Sequence, residues 1–206
     1  MRASSSNPVL NRAFEAIQAN SVPLLRQALR EMPDVDLRDD NNDTLLILAV
    51  HAKHYRLTKM LLDAGADINV MGRHNRTPIS LAAEAKNFRV LNLLLQRGGD
   101  PNLYPVGDFY SGRPPIHGAA ESNSPKCVGI LLEYGADINA RDEAWQRTAL
   151  HVSLDAYPEL VAARYLILHG ADIHARDKMG NTPLHEAFGC GAKGIIALLR
   201  ERGATE

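Results

Sequence analysis

Five times in 206 residues the chain writes a leucine-rich run closed by a glycine: LLDAGAD at 61–67, LLQRGGD at 94–100, LLEYGAD at 131–137, LILHGAD at 166–172 and LLRERGA at 198–204. The glycines fall at 65, 98, 135, 170 and 203, so the spacings are 33, 37, 35 and 33. A second marker stands 21 or 22 residues before each glycine, at Thr44, Thr77, Pro114, Thr148 and Thr182. Two markers in register over five copies mean that the chain is an array of one small unit, and that constrains the fold more than any composition does.

The unit has a physical reading of its own. The second marker opens TLLILA, TPISLA, PPIHGA, TALHVS and TPLHEA, as an N-cap hydroxyl opens a helix, often with proline at the first helical position. This first helix is expected to end near Lys53, Lys86, Asn123 and Gly191. A second follows in LTKMLLDA, VLNLLLQR, CVGILLEY, AARYLILH and IIALLRER, whose leucines recur at i, i+3 and i+4 along one buried face. Each closing glycine then supplies a left-handed C-cap without a Cβ penalty. The chain leaves extended and turns back before the next threonine, through Asn42, Asn75 or Gly180, all residue types that tolerate positive φ. One such pair cannot bury its apolar face alone, but stacked copies bury a continuous core.

The pattern D-x-x-G-x-T-P-L-H-x-A followed by LL-x-x-G-A-D-I-N resembles the ankyrin repeat, and DKMGNTPLHEAFGCGAKGIIALLRERGA at 177–204 is the copy nearest to it. The resemblance extends over residues 7–206. It implies an all-α solenoid of stacked helix-turn-helix units with projecting β-turn or hairpin fingers. A tail at 1–6 and a single domain at 7–206 are expected, with repeats at roughly 7–38, 39–71, 72–104, 105–141, 142–176 and 177–206. The first copy starts at Asn7 and Pro8 but lacks the Thr-Pro entry and the glycine; the last carries Arg200 in place of a leucine. Both read as end caps, with a polar face towards water, and the array as complete.

Composition narrows the function classes. Hydrophobic residues make up 45% and charged residues 23%, as in a soluble globular chain. Aromatics are only 5% and the formal net charge is −1, so nothing draws the whole molecule to nucleic acid or to an anionic membrane. The start, MRASSSNP, has no apolar signal-peptide region, and no apolar run reaches the ~20 residues that span a bilayer. Cys127 and Cys190 make no disulfide framework. The expected home is intracellular, cytoplasmic or nuclear, although export by a route needing no signal peptide would leave the same sequence. A monomer is expected.

Candidate binding residues lie where the copies differ. In the family that the chain resembles, partners bind the concave side, formed by the turn tips and the first helices. Seven residues after the marker the copies carry His51, Glu84, Glu121, Asp155 and Gly189, an acidic row that can hold a basic segment or simply face solvent. The turns before the helices carry Arg73, His74, Arg76, Arg113 and Arg147, together with Lys178. Basic tips thus stand over an acidic floor, to orient a partner of mixed charge or to pair with that floor. The fourth turn is four residues longer than the plain repeat and holds Tyr104, Phe109 and Tyr110; the next holds the only tryptophan, Trp145. Aromatics on two neighbouring fingers suit an interface hot spot, although the longer loop can also fold on itself. In the fifth copy DAYPELVAARY at 155–165 replaces the usual tight turn between helices, and Pro158 is expected in the first turn of the second helix.

Catalytic signals are thin. His117, His151 and His185 hold the L-H position, where the resemblance implies a hydrogen bond to turn backbone. His51 and His54 form H-x-x-H without a third metal ligand. FGCGAKG at 188–194 does not match a phosphate-loop spacing. No catalytic residue, metal or cofactor is therefore expected. The expected function is a non-catalytic protein–protein interaction module acting by recruitment, masking or inhibition. The alternatives are an enzyme with a small-molecule acid–base site in the acidic groove, or a structural, oligomerising subunit.

Overall fold

Hydroxyl side chains decide where many of the helices begin. The computed structural model describes residues 8–104, 113–156 and 158–205. Its helices come in pairs: α1 (Pro8–Gln18) with α2 (Val22–Glu31), α3 (Leu45–His51) with α4 (Tyr55–Asp63), α5 (Pro78–Glu84) with α6 (Phe88–Gln96), α7 (Pro115–Glu121) with α8 (Pro125–Glu133), α9 (Ala149–Ser153) with α10 (Val161–Leu168), and α11 (Pro183–Gly189) with α12 (Lys193–Glu201). Thr44 Oγ1 accepts the Ile47 N–H at 3.4 Å, Thr77 and Ser80 exchange bonds of 3.1 Å in both directions, and Thr182 Oγ1 accepts the His185 N–H at 3.2 Å. At α9 the cap is reciprocal in character, with the Thr148 N–H donating to His151 Nδ1 at 3.2 Å. Pro114 has no hydroxyl, and α7 starts without a side-chain cap. Ser21 and Ser124 cap the second helices α2 and α8.

The stops are equally local. Lys53, Lys86, Asn123 and Gly191 take φ of 61°, 53°, 54° and 70° between the helices of a pair. Gly65, Gly98, Gly135, Gly170 and Gly203, past the second helices, have φ between 86° and 92°, the left-handed cap the sequence calls for. Asn42, Asn75 and Gly180 have positive φ in the turns, and Gln146 takes the same position in the fifth copy with φ 54°. Extended pairing among the described residues is confined to two isolated antiparallel bridges, Arg38 with Thr44 and Arg141 with Thr148, which pinch two of the fingers shut.

The chain forms two compact units, one from the described residues up to 82 with 89–100, the other from 83–88 and the described residues from 101 onward. In the first, α1 packs on α2 and α3, and α4 on α2 and α3, around Leu10, Phe14, Leu25, Leu46, Leu57 and Leu61. In the second, α7, α9 and α11 form one row and α8, α10 and α12 another, closing on Ile116, Leu131, Leu150, Leu166 and Leu199. Cys127 lies in that core, and burial raises its thiol pKa.

One element differs from the sequence reading. Pro158 stands before α10, whose N-cap is Leu160, rather than inside its first turn. A short 3-10 turn, Leu154–Ala156, follows α9 instead of a tight turn. Asn123 of the preceding pair accounts for this: its Oδ1 accepts the Ala162 N–H at 2.9 Å and its Nδ2 donates to the Glu159 carbonyl. That clamp engages the chain on both sides of Leu160, and the helix starts late.

Candidate functional site on the helix faces and turn fingers

Arg147 sits at the root of the fifth finger and is only 16% exposed at its side chain. Its Nη1 and Nη2 grip both carboxylate oxygens of Asp155 at 2.9 and 3.2 Å. Nη2 also donates to Glu186 Oε2 at 3.1 Å and to the His151 carbonyl at 3.0 Å. Burial works against the guanidinium charge, but Asp155 and Glu186 more than offset it and Arg147 is held cationic above its ordinary range. Burial raises the Glu186 carboxyl, with Arg147 pulling it back. The arginine therefore fixes the fifth finger against its own helix and against α11.

The same eight-residue step recurs one copy earlier, where Arg113 Nη1 reaches Glu121 Oε2 at 2.9 Å. Both partners are well exposed, so this pair contributes little stability. Glu121 and Asp155 are each met by the arginine of their own finger, and their charge is matched within the molecule. Glu84 lies across Gly118, where an added Cβ would come within 2.5 Å of Glu84 Cγ. Glycine in α7 thus admits the acidic side chain that the row requires.

Trp145 is 54% exposed, yet its backbone is fixed. Its N–H donates to Asp142 Oδ1 at 2.7 Å, and its carbonyl accepts the Lys178 N–H at 2.8 Å from the next finger. Tyr104 lines a recess of about 490 Å³ with Arg141, Glu143 and Gln146 of the finger that carries Trp145. Phe109 and Tyr110 lie outside the described residues.

In the first unit, His51, Arg73, His74 and Arg76 come together around a recess of about 200 Å³ with an apolar floor of Ile47, Leu48 and Leu81. Asp43 Oδ1 accepts the Arg73 N–H at 2.7 Å, which draws the third finger onto the second. A Cβ on Gly72 would approach that oxygen to 2.4 Å, so any other residue here would push the Asp43 carboxylate aside. His74 and Asn75, both at φ 56°, make the tip.

Two of the three L-H histidines are structural, whereas the third, His185, is exposed and its ring bonds no turn backbone among the described residues. His117 Nε2 bonds the Arg147 carbonyl at 2.8 Å, and His151 Nε2 bonds the Asn181 carbonyl at 3.2 Å. Burial lowers the pKa of His117 to about 4 and that of His151 in the same direction. Among the described residues, no three His, Cys, Asp or Glu side chains gather as a metal site, and no helix is long and apolar enough to cross a membrane. Two residues escaped the sequence reading. Glu186 is the one charged member of the row Leu48, Leu81, Gly118, Val152, Glu186, and that was its signal. Met179 is 74% exposed and stands, like Trp145, three residues before its marker threonine.

The family model described as "Ankyrin repeats (3 copies)" matches residues 13–105 and again 116–205. The chain belongs to the ankyrin repeat family. Within this ankyrin array, a 56-residue stretch is 45% identical to the potassium channel KOR2 of Oryza sativa, covering 27% of the chain and 8% of that protein. A 70-residue stretch is 39% identical to the nuclear factor NF-kappa-B p105 subunit of Mus musculus, covering 34% and 7%. A third, of 71 residues, is 34% identical to the neurogenic locus notch homolog protein 1 of Xenopus laevis, covering 34% and 3%. Each matched stretch thus spans less than a tenth of its relative's length. Ankyrin repeats are in general protein–protein interaction modules, typically non-catalytic.

Proposed function

We propose that this ankyrin array binds another protein through its first-helix faces and fingers, and acts by recruiting, masking or inhibiting that partner. Trp145 carries the reading. It is a large apolar side chain in solvent, on a turn whose amide and carbonyl are both tied down. Such a side chain loses little freedom on binding, and tryptophan is enriched among the residues that anchor interfaces. Tyr104 extends the aromatic surface, to which the sequence pattern alone assigns Phe109 and Tyr110; Arg113, Glu84, Glu121 and Asp155 set its charge, and Arg147 holds the finger in place. His51, Arg73, His74 and Arg76 make a second, basic contact patch. The partner that fits has apolar anchors within a segment of mixed charge, and the array works as one domain over 7–206 and as a monomer.

The test is affinity capture with the folded protein as bait, comparing wild type, Trp145→Ala and the outer-helix control Leu168→Ser. A protein retained by wild type and the control but lost with Trp145→Ala supports the reading. Equal capture by all three baits overturns the assignment of Trp145.

A further inference from the structure

On its second helices the first unit carries a charge that the molecule as a whole does not. Arg26 and Arg30 of α2 are exposed, as are Arg56 and Lys59 of α4 and Arg89 of α6. Lys53 just before α4 and Arg97 just after α6 add two more exposed cations. Between them these segments hold two carboxylates, Glu31 and Asp63, and both are already engaged. Arg12 grips Glu31 through Nη1 and Nη2 at 3.3 and 2.6 Å. Asp63 lies 2.8 Å from Arg97 Nη1 and 3.4 Å from Lys59 Nζ. The hydrogen bond from Arg97, and after it Lys59, holds the Asp63 carboxyl below its ordinary range.

Among the described residues no carboxylate pairs with Arg26, Arg30, Lys53, Arg56 or Arg89. Arg26 and Arg30 stand four apart on one helix, a spacing at which like charges disfavour the helix. Arg56 and Lys59 stand three apart on the next. The three helices make one face: α2 packs on α4, the Arg89 guanidinium of α6 lies over the Tyr55 ring of α4 at 5.2 Å, and Arg97 reaches Asp63 at the other end. Leu24 of α2 adds an apolar side chain that is 46% exposed. The free protein thus keeps a concentration of cations that works against it, although its formal net charge is −1.

We infer that the α2, α4 and α6 face of the first unit docks an acidic segment of a partner protein, one that carries leucine-like side chains among its carboxylates. Glu31 and Asp63 show how this face treats a carboxylate, which is met by two nitrogens, from one guanidinium or from cations of two neighbouring helices. Of the five cations left over, Arg26, Arg30, Arg56 and Arg89 bring the planar fork that suits a carboxylate best. Leu24 gives the apolar side chains of the segment a place to lie. The rest of the molecule cancels this charge, so a long polyanion or an anionic bilayer meets repulsion beyond the face, whereas a short segment meets the face alone. None of these residues belongs to the surface centred on Trp145 or to the patch of His51, Arg73, His74 and Arg76, so the two readings stand or fall separately.

The probe is a soluble peptide that repeats Glu-Glu-Leu-Ser four times, with Gln-Gln-Leu-Ser as its neutral twin. Titrated into the isotope-labelled full chain at about 0.01 M salt, where surface charges reach furthest, the acidic peptide should shift the nuclear magnetic resonance signals of Leu24, Arg26, Arg30, Arg56 and Arg89 saturably. The neutral twin should not. Arg30→Glu and Arg56→Glu should each weaken binding about threefold or more, as reversing one exposed charge does. Lys178→Glu, which changes the net charge equally but on a finger, and Trp145→Ala should bind the peptide unchanged. All four side chains are exposed, so an unaltered circular dichroism spectrum confirms that the variants fold. No saturable shift at millimolar peptide, equal shifts with the neutral twin, or equal weakening by Lys178→Glu overturns the inference. Duplex DNA or phosphatidylserine vesicles that bind the same residues more tightly than the peptide would make the occupant a nucleic acid or a lipid surface, and overturn the acidic protein segment assigned here.

Discussion

Arg147 and His117 are two buried polar residues whose substitution reports different physics. Replacing Arg147 by Ala leaves the half-buried Glu186 carboxylate without its cation and frees the His151 carbonyl. The expected cost is about 2–3 kcal/mol in urea denaturation. Arg147→Lys should recover less than half of it, because an ammonium cannot grip Asp155 with two nitrogens and reach Glu186 as well. His117 acts through pH. Its folded-state pKa of about 4 lies below the unfolded value near 6.5, so its contribution is fully present above pH 6.5 and is lost as pH falls from 6.5 towards 4. Linkage then predicts a loss of about 2 kcal/mol between pH 7 and pH 5, with His151 adding in the same sense. A His117→Gln variant should show a flatter profile over that window, measured by chemical denaturation at each pH.

Between neighbouring second helices a single missing carbon matters. A Cβ on Gly129 in α8 would meet the Tyr165 hydroxyl of α10 at 2.7 Å but the ring carbon Cζ only at 3.4 Å. Gly129→Ala should therefore destabilise by about 1–3 kcal/mol as overpacking does. On a Tyr165→Phe background the same change should be neutral or stabilising, since alanine favours helix; a double-mutant cycle measures the difference. The helix starts and stops were legible because they depend on neighbours in sequence: a hydroxyl beside its own first turn, a glycine just past the last. The delayed start of α10 was not, because its cause, Asn123, belongs to another pair, 39 residues from the Ala162 amide it bonds. Arg147 shows the same limit at the candidate site. Its residue type and spacing to Asp155 were visible on the page, but its burial depends on Glu186 from the next copy. Trp145 was legible as a singular residue, while the fixity of its backbone came from Asp142 and Lys178.

For the molecule as a whole, an array couples each pair chiefly to its neighbours, and stability is correspondingly local. Leu199→Ala, a fully buried position in α12, should cost about 2–5 kcal/mol. Hydrogen exchange should rise over α11 and α12 and stay low over α7 and α9; a uniform rise over the whole second unit would refute this locality. One recurring bond also bears on how such a gene can lengthen. Asp36, Asn69, Asn102 and Asn139 each hold a backbone amide 31, 31, 35 and 33 residues further on. A backbone amide is the same whatever side chain it carries. A copied pair therefore meets neighbours that already fit it, and inheritance can duplicate first and diversify the fingers afterwards.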